Sequence, residues 1–183
     1  MDINLVMDSC VDFNEDTKDM ERVPFKILID DEELTDSNLD MMELIGKMKN
    51  SKKSIRTACP SPEDFINAFK KCKNTFAVTI SGPLSGSYNS AMLALNIMKE
   101  KFPENFVHIF DSKTAAAGQT LIAMKVKQLI DDNFNTNDII EKTNKYIAKL
   151  RTLFILDSLD NLAKNGRIRS EEHTSELQSR GLI

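Results

Sequence analysis

The stretch TFAVTISGPLSGSYNSA, residues 75–91, decides how the chain folds. Residues 75–80 form a nearly continuous apolar run, as expected of a strand buried on both faces. Residues 81–87 are glycine, serine, proline and one leucine, a composition that turns a chain. Beyond them Tyr88, Ala91, Met92, Leu95, Met98 and Phe102 recur at helical spacing. Strand, short loop and helix in that order predict an α/β protein with a mainly parallel sheet flanked by helices.

The same pattern extends in both directions. Residues 3–7 alternate apolar and polar and end at Asp8-Ser9, a short strand with a loop after it. Residues 23–29 (VPFKILI) predict one more strand, with a turn at Asp30-Asp31 and a return through Glu33-Leu34. A helix follows over 39–49, capped by Asp36 or Ser37. Ser61-Pro62-Glu63-Asp64 is a strong helix start: a capping serine, a proline suited to the first turn, and two acids at the positive end of the dipole. On the other side, residues 106–110 predict a buried strand ending at Asp111-Ser112. Helices are expected over 114–130 and 138–150, then a short strand at 153–156 and a helix at 158–164.

Composition narrows the function. The chain has 183 residues, 28% charged and 41% hydrophobic, which is the balance of a globular protein. Its net charge of −4 and the lack of a basic stripe argue against a nucleic-acid binder. No apolar run approaches the roughly 20 residues that cross a bilayer. The first residues lack the basic start of a signal peptide, so a cytoplasmic location is expected. The three cysteines, Cys10, Cys59 and Cys72, are scattered as reduced thiols would be. Two histidines leave little material for a metal site or for imidazole catalysis. No cofactor is expected.

In an open parallel sheet, ligands sit beyond the carboxyl ends of the strands. Three predicted strands end there in hydroxylic loops, carrying Ser9, residues 81–87 and Ser112. Gly82 and Gly86 permit close backbone approach. The helix after them starts with unpaired N–H groups and a partial positive charge, and with serine hydroxyls these make a cup for one anion. The loop holds no Lys or Arg, so the cup suits a carboxylate better than a polyphosphate. The plainer reading is that these residues only turn the chain and cap the helix.

Sharper motifs fit less well. GPLSGS departs from the phosphate-binding P-loop, with Ser87 where the lysine belongs. Ser85 stands one place too late for a GxSxG nucleophile elbow. A serine hydrolase acting through Ser85 is the alternative function, but its only base would be His108, inside an apolar strand. Asp8 and Asp111 could bind a metal; acids at strand ends more often turn the chain or cap a helix.

Taken together, MDSCVDF, VPFKILIDDEELTD, TACPSPEDF, ISGPLSGSYNSA, IFDSKTAAAGQ and LDSLDNLAKNGRI resemble the DegV family of fatty-acid-binding proteins, in order and across nearly all of residues 1–168. The family includes the carrier subunit of bacterial fatty acid kinase. The resemblance implies a DegV-like N-terminal domain over 1–151 and the start of a truncated second, lipid-binding domain over 152–168. It also implies a fatty-acid carboxylate held by Thr57, Ser81, the Gly82 backbone N–H and the Ser85 loop, with Ser9, Gly86 and Ser112 in the surrounding pocket loops. Arg167 would help a partner kinase reach the carboxylate and phosphorylate it to an acyl phosphate, the carrier doing no chemistry alone. Two family features differ: a serine pair is Ser81-Gly82 here, and a TSQP-like stretch is TACP. Residues 169–183 break the texture of the chain; RSEEHTSELQS reads like a frame of a sequencing adapter and is expected to be non-native.

Overall fold

The computed structural model describes residues 3–12, 20–37, 39–51, 53 and 55–153. The expected helix at 158–164, most of the strand at 153–156, Arg167 and the 169–183 tail lie outside these residues.

Four strands form a parallel sheet: β1 (Ile3–Asp8), β2 (Met20–Val23), β6 (Asn74–Thr79) and β7 (Phe106–Asp111), in the order β2-β1-β6-β7. Alternate side chains feed two cores, because successive residues of a strand point to opposite faces. Leu5, Met7, Phe76, Val78 and Phe110 pack on one face against Ile122, Val126 and Leu129 of α4 (Ala117–Asp131) and Ile139 and Ile147 of α5 (Thr136–Lys149). Val6, Ala77 and Ile109 pack on the other, against Phe65 and Phe69 of α2 (Pro62–Phe69) and Ala91, Ala94 and Met98 of α3 (Ser87–Lys101). The result is a three-layer α/β/α sandwich. β1 is buried at every position, so its apparent apolar/polar alternation, including Asn4, belongs to a central strand.

A second sheet is small and antiparallel: β4 (Glu32–Thr35), β3 (Lys26–Ile29) and β5 (Arg56–Ala58), in the order β4-β3-β5. The single strand expected over 23–29 is therefore two. Pro24 offers no N–H to a ladder, and around it the chain leaves the parallel sheet at Val23 and joins the small one at Lys26. The expected turn at Asp30-Asp31 is present, with Asp30 in the left-handed region (φ 53°).

Helix α1 (Met41–Asn50) is capped by Asp40, not by Asp36 or Ser37. Asp36 is occupied elsewhere, accepting from Ser9 Oγ at 2.6 Å. Ser61 caps α2 as expected, in a capping box with Asp64. Helix α4 begins three residues later than its pattern suggested, because residues 112–116 form an irregular connection in which Lys113 and Ala116 have positive φ. Among the described residues no helix is long and apolar enough to cross a membrane.

Candidate functional site

The strand order reverses between β1 and β6, since β2 lies on one side of β1 and β6-β7 on the other. Ligands favour the crevice beyond the carboxyl ends of strands at such a point. The 81–87 loop emerges there. It is a tight turn: the N–H groups of Leu84 and Ser85 both donate to the Ser81 carbonyl, at 3.0 and 3.1 Å. Ser81 N–H donates to the Thr114 carbonyl at 2.9 Å, which ties the turn to the chain after β7.

Against this loop lies an open cavity of about 610 Å³. Gly82, Pro83, Leu84, Ser85 and Gly86 form one wall, and Asn89 of α3 extends it. Thr57, Ala58 and Cys59 form the facing wall, with Phe25 at the start of the small sheet. Thr57 is placed by β5, paired opposite Ile27 of β3. The small sheet thus supplies one wall and the large sheet the other. The walls meet closely at one point: a Cβ on Gly86 would stand 3.1 Å from Cys59 Sγ.

The charge of this site is unusual. Among the described residues its lining holds no acid, lysine, arginine or histidine. The polar groups are the hydroxyls of Thr57 and Ser85, the Asn89 amide and the start of α3. Gly86 is the residue before that helix and gives it no side-chain cap, and the first turn holds no acid. Among the described residues, the N–H of Ser87 finds a hydroxyl, Ser85 Oγ at 3.3 Å. A helix start left open in this way favours a negatively charged ligand.

The structure brings Thr57, Gly82, Ser85 and Gly86 together and treats the other expected residues differently. The Gly82 N–H is already used, donating to Asp111 Oδ1 at 3.0 Å, so the glycine shapes the wall and its amide is not a free donor. Ser81 is fully buried beneath the loop and is not among the residues on the cavity wall. Its Oγ has no hydrogen-bond partner among the described residues. Ser9 and Ser112 do not line the cavity either. Ser9 Oγ donates to Asp36 and accepts the Phe25 N–H, and Ser112 Oγ donates to the Thr114 carbonyl and accepts the Thr114 N–H. Ser112 satisfies the local backbone of its own turn, while Ser9 ties together segments 16 and 27 residues away.

Nor does the site supply a base. His108 lies in the middle of β7, edge-on to Phe110 with ring centroids 4.6 Å apart, and burial pushes its pKa down. It does not line the cavity, and no histidine, acid or lysine stands among the described residues of the wall to take a proton from Ser85. Asp8 and Asp111 organise backbone, and no cluster of metal-ligating side chains occurs among the described residues. Sequence reading missed Asn89 and Phe25. Asn89 could have been found from its position, third in a helix whose preceding residue is a glycine; Phe25 carries no such signal.

A family model for the DegV proteins, described as uncharacterised, matches residues 2–173. The chain belongs to the DegV family. A DegV domain-containing protein of Streptococcus pneumoniae (strain ATCC BAA-255 / R6) is 40% identical over 147 residues, covering 80% of this chain and 52% of the relative. Among solved structures, a DegV protein of Ruminococcus gnavus with vaccenic acid superposes with a TM-score of 0.87 at 36% identity. The fatty acid kinase (Fak) B3 protein of Streptococcus pneumoniae, loaded with linoleic acid, gives the same TM-score and identity. Each comparison covers 92% of this chain and 62% of the other. The chain therefore spans little more than half the length of the relatives it matches.

Proposed function

We propose that this DegV chain binds a long-chain fatty acid, holds its carboxylate in the cavity between β5 and the 81–87 loop, and presents it to a partner kinase that makes the acyl phosphate. One observation carries the reading: the cavity offers hydroxyls, an amide and an uncapped helix start, with no cationic side chain and no base. That is equipment for steadying a single carboxylate, not for breaking bonds. The fatty acids in two similar DegV structures support the ligand class. Thr57, Ser85 and the start of α3 face the head group directly. Ser81 lies beneath the wall and joins them once the 81–87 turn opens on the head group, which would give its buried, unpaired Oγ a partner. In this reading residues 1–151 are the head-group domain of a cytoplasmic carrier, residues 152–168 begin the part that covers the acyl tail, and Arg167 serves the kinase step.

The division of energy follows. Each buried methylene of the tail contributes about 0.8 kcal/mol, and each hydrogen bond to a charged head group about 1.5–3 kcal/mol. The tail supplies most of the affinity and the cup fixes orientation. Native mass spectrometry of the purified chain should reveal a co-purifying fatty acid, and added oleate should bind saturably. Thr57→Ala should weaken oleate by roughly 10- to 150-fold, the loss of one such hydrogen bond, with no change in thermal stability because Thr57 is exposed. A lipid-free chain that ignores added oleate would overturn the proposal. Mixing the loaded chain with a fatty acid kinase catalytic subunit and ATP, and assaying acyl phosphate, tests the partner.

A further inference from the structure

Behind the loop, away from the cavity wall, sits a carboxylate that the reading above does not use. Asp8 ends β1 and is fully buried. Its Oδ2 accepts the Ile80 N–H at 2.8 Å and the Ser87 hydroxyl at 2.6 Å. Ile80 is the residue just before the 81–87 loop, and Ser87 opens α3. One oxygen therefore closes the neck of the loop from both sides. Its Oδ1 accepts Gln119 Nε2 at 2.8 Å and the Cys10 N–H at 3.3 Å. Gln119 stands in the first turn of α4, the other helix that starts without a side-chain cap. A single buried acid thus links β1, the end of β6 and the starts of α3 and α4.

We propose that Asp8 is a positioning residue for the carboxylate cup: by clamping Ile80 and Ser87 it sets the loop so that Ser85, Gly86 and the open end of α3 converge on the ligand head group. The inference rests on the fatty-acid reading. The alternative is that Asp8 merely glues the sheet to two helices, and the two differ in what they predict. A clamp on the cup matters for a ligand with a carboxylate and not for one without. General glue matters equally for both.

The test compares oleate with oleyl alcohol, which has the same chain and no carboxylate, on the whole chain. The readout is the ratio of the two dissociation constants, taken on variants whose circular dichroism matches the parent. Asp8→Asn keeps the shape but replaces one acceptor oxygen with an NH2 group, which cannot accept. The preference for oleate over the alcohol should fall at least fivefold, with alcohol binding changed less than twofold. Ser87→Ala is the second variant. It removes one of the four hydrogen bonds and leaves the Asp8 carboxylate in place, so it separates loop geometry from loss of a buried charge. It should lower the same ratio by two- to threefold, and it decides the matter if Asp8→Asn does not fold. A ratio that holds or rises in the folded variants overturns the role of Asp8 and leaves the fatty-acid reading standing. A parent chain that binds no oleate overturns that reading, and this inference with it.

Discussion

Helices α1, α2 and α5 begin with side chains that close them. Asp40 accepts from the N–H groups of Met42 and Glu43, Ser61 from that of Asp64, and Asn135 from that of Asp138. Helices α3 and α4 begin with Gly86 and Ala116, which cap nothing. The closed starts lie on helices that only have to cover the core or the small sheet. The open ones follow β6 and β7, where the parallel strands deliver their loops to one edge. At α3 the missing cap coincides with the cavity. A missing cap costs about 1 kcal/mol where the residue is Ala116 and only a few tenths where it is Gly86, and at α3 the open start leaves amide hydrogens available to a ligand.

The sharpest way to press this contrast is to close α3 artificially. Gly86→Asp places a carboxylate where the ligand's would lie. Gly86 has an ordinary φ of −68°, and the new Cβ meets only Cys59 Sγ, at 3.1 Å. Stability should hold within about 1 kcal/mol, since Gly and Asp differ by only a few tenths at a helix start and the tight contact is with a single side chain. Oleate affinity should drop by about a hundredfold or more, from like-charge repulsion added to the loss of open N–H groups. Isothermal titration reads the second number and urea unfolding the first. Retained binding would mean that α3's start is not the head-group site.

Opening a closed helix is the converse. Ser61→Ala removes the α2 capping box, in which Asp64 Oδ2 also accepts the Ser61 N–H at 2.8 Å. It should cost about 1 kcal/mol in urea unfolding and leave oleate binding unchanged. An equal loss of binding would erase the distinction between the two kinds of helix start.

The smallest effect concerns Asp8. Burial raises its pKa above the ordinary 3.8, outweighing the hydrogen bonds from Gln119, Ser87, Ile80 and Cys10. The folded chain then holds this proton more tightly than the unfolded chain does. Stability falls as pH rises from about 3.8 through the raised value, and the penalty is fully present above it. His108 works in the opposite direction: its lowered pKa makes folding less favourable as pH drops below its ordinary 6.5. Subtracting the urea stability of Asp8→Asn from that of the parent at each pH cancels His108. The difference should turn in the parent's favour as pH falls towards 3.8. A flat difference would show that Asp8 ionises at no cost.

Much of the fold was legible because its signals are local. The apolar run before residue 81, the helical spacing after it and the Ser61 box each lie within one element. The error at Pro24 arose where two sheets exchange the chain, since VPFKILI has strand composition throughout and only long-range pairing divides it. The error at the start of α1 was a choice among neighbouring caps, settled by Ser9 engaging Asp36 from 27 residues away. The site divides in the same way. That Thr57 would meet the 81–87 loop came from the family resemblance. Which hydroxyls stay free could not be read from residue types, because Ser9, Ser112 and the Gly82 N–H are consumed by partners distant in sequence or by the turns they build.

A cup whose described residues include no lysine or arginine has a practical result. Coulombic capture by exposed cations weakens as salt shortens the Debye length from about 10 Å at 0.1 M to about 3 Å at 1 M. Short-range alcohol and amide dipoles feel little of that, and salt drives the acyl tail out of water more strongly. Fatty-acid retention should therefore survive concentrated brine, a condition in which a lysine-lined carboxylate site would leak.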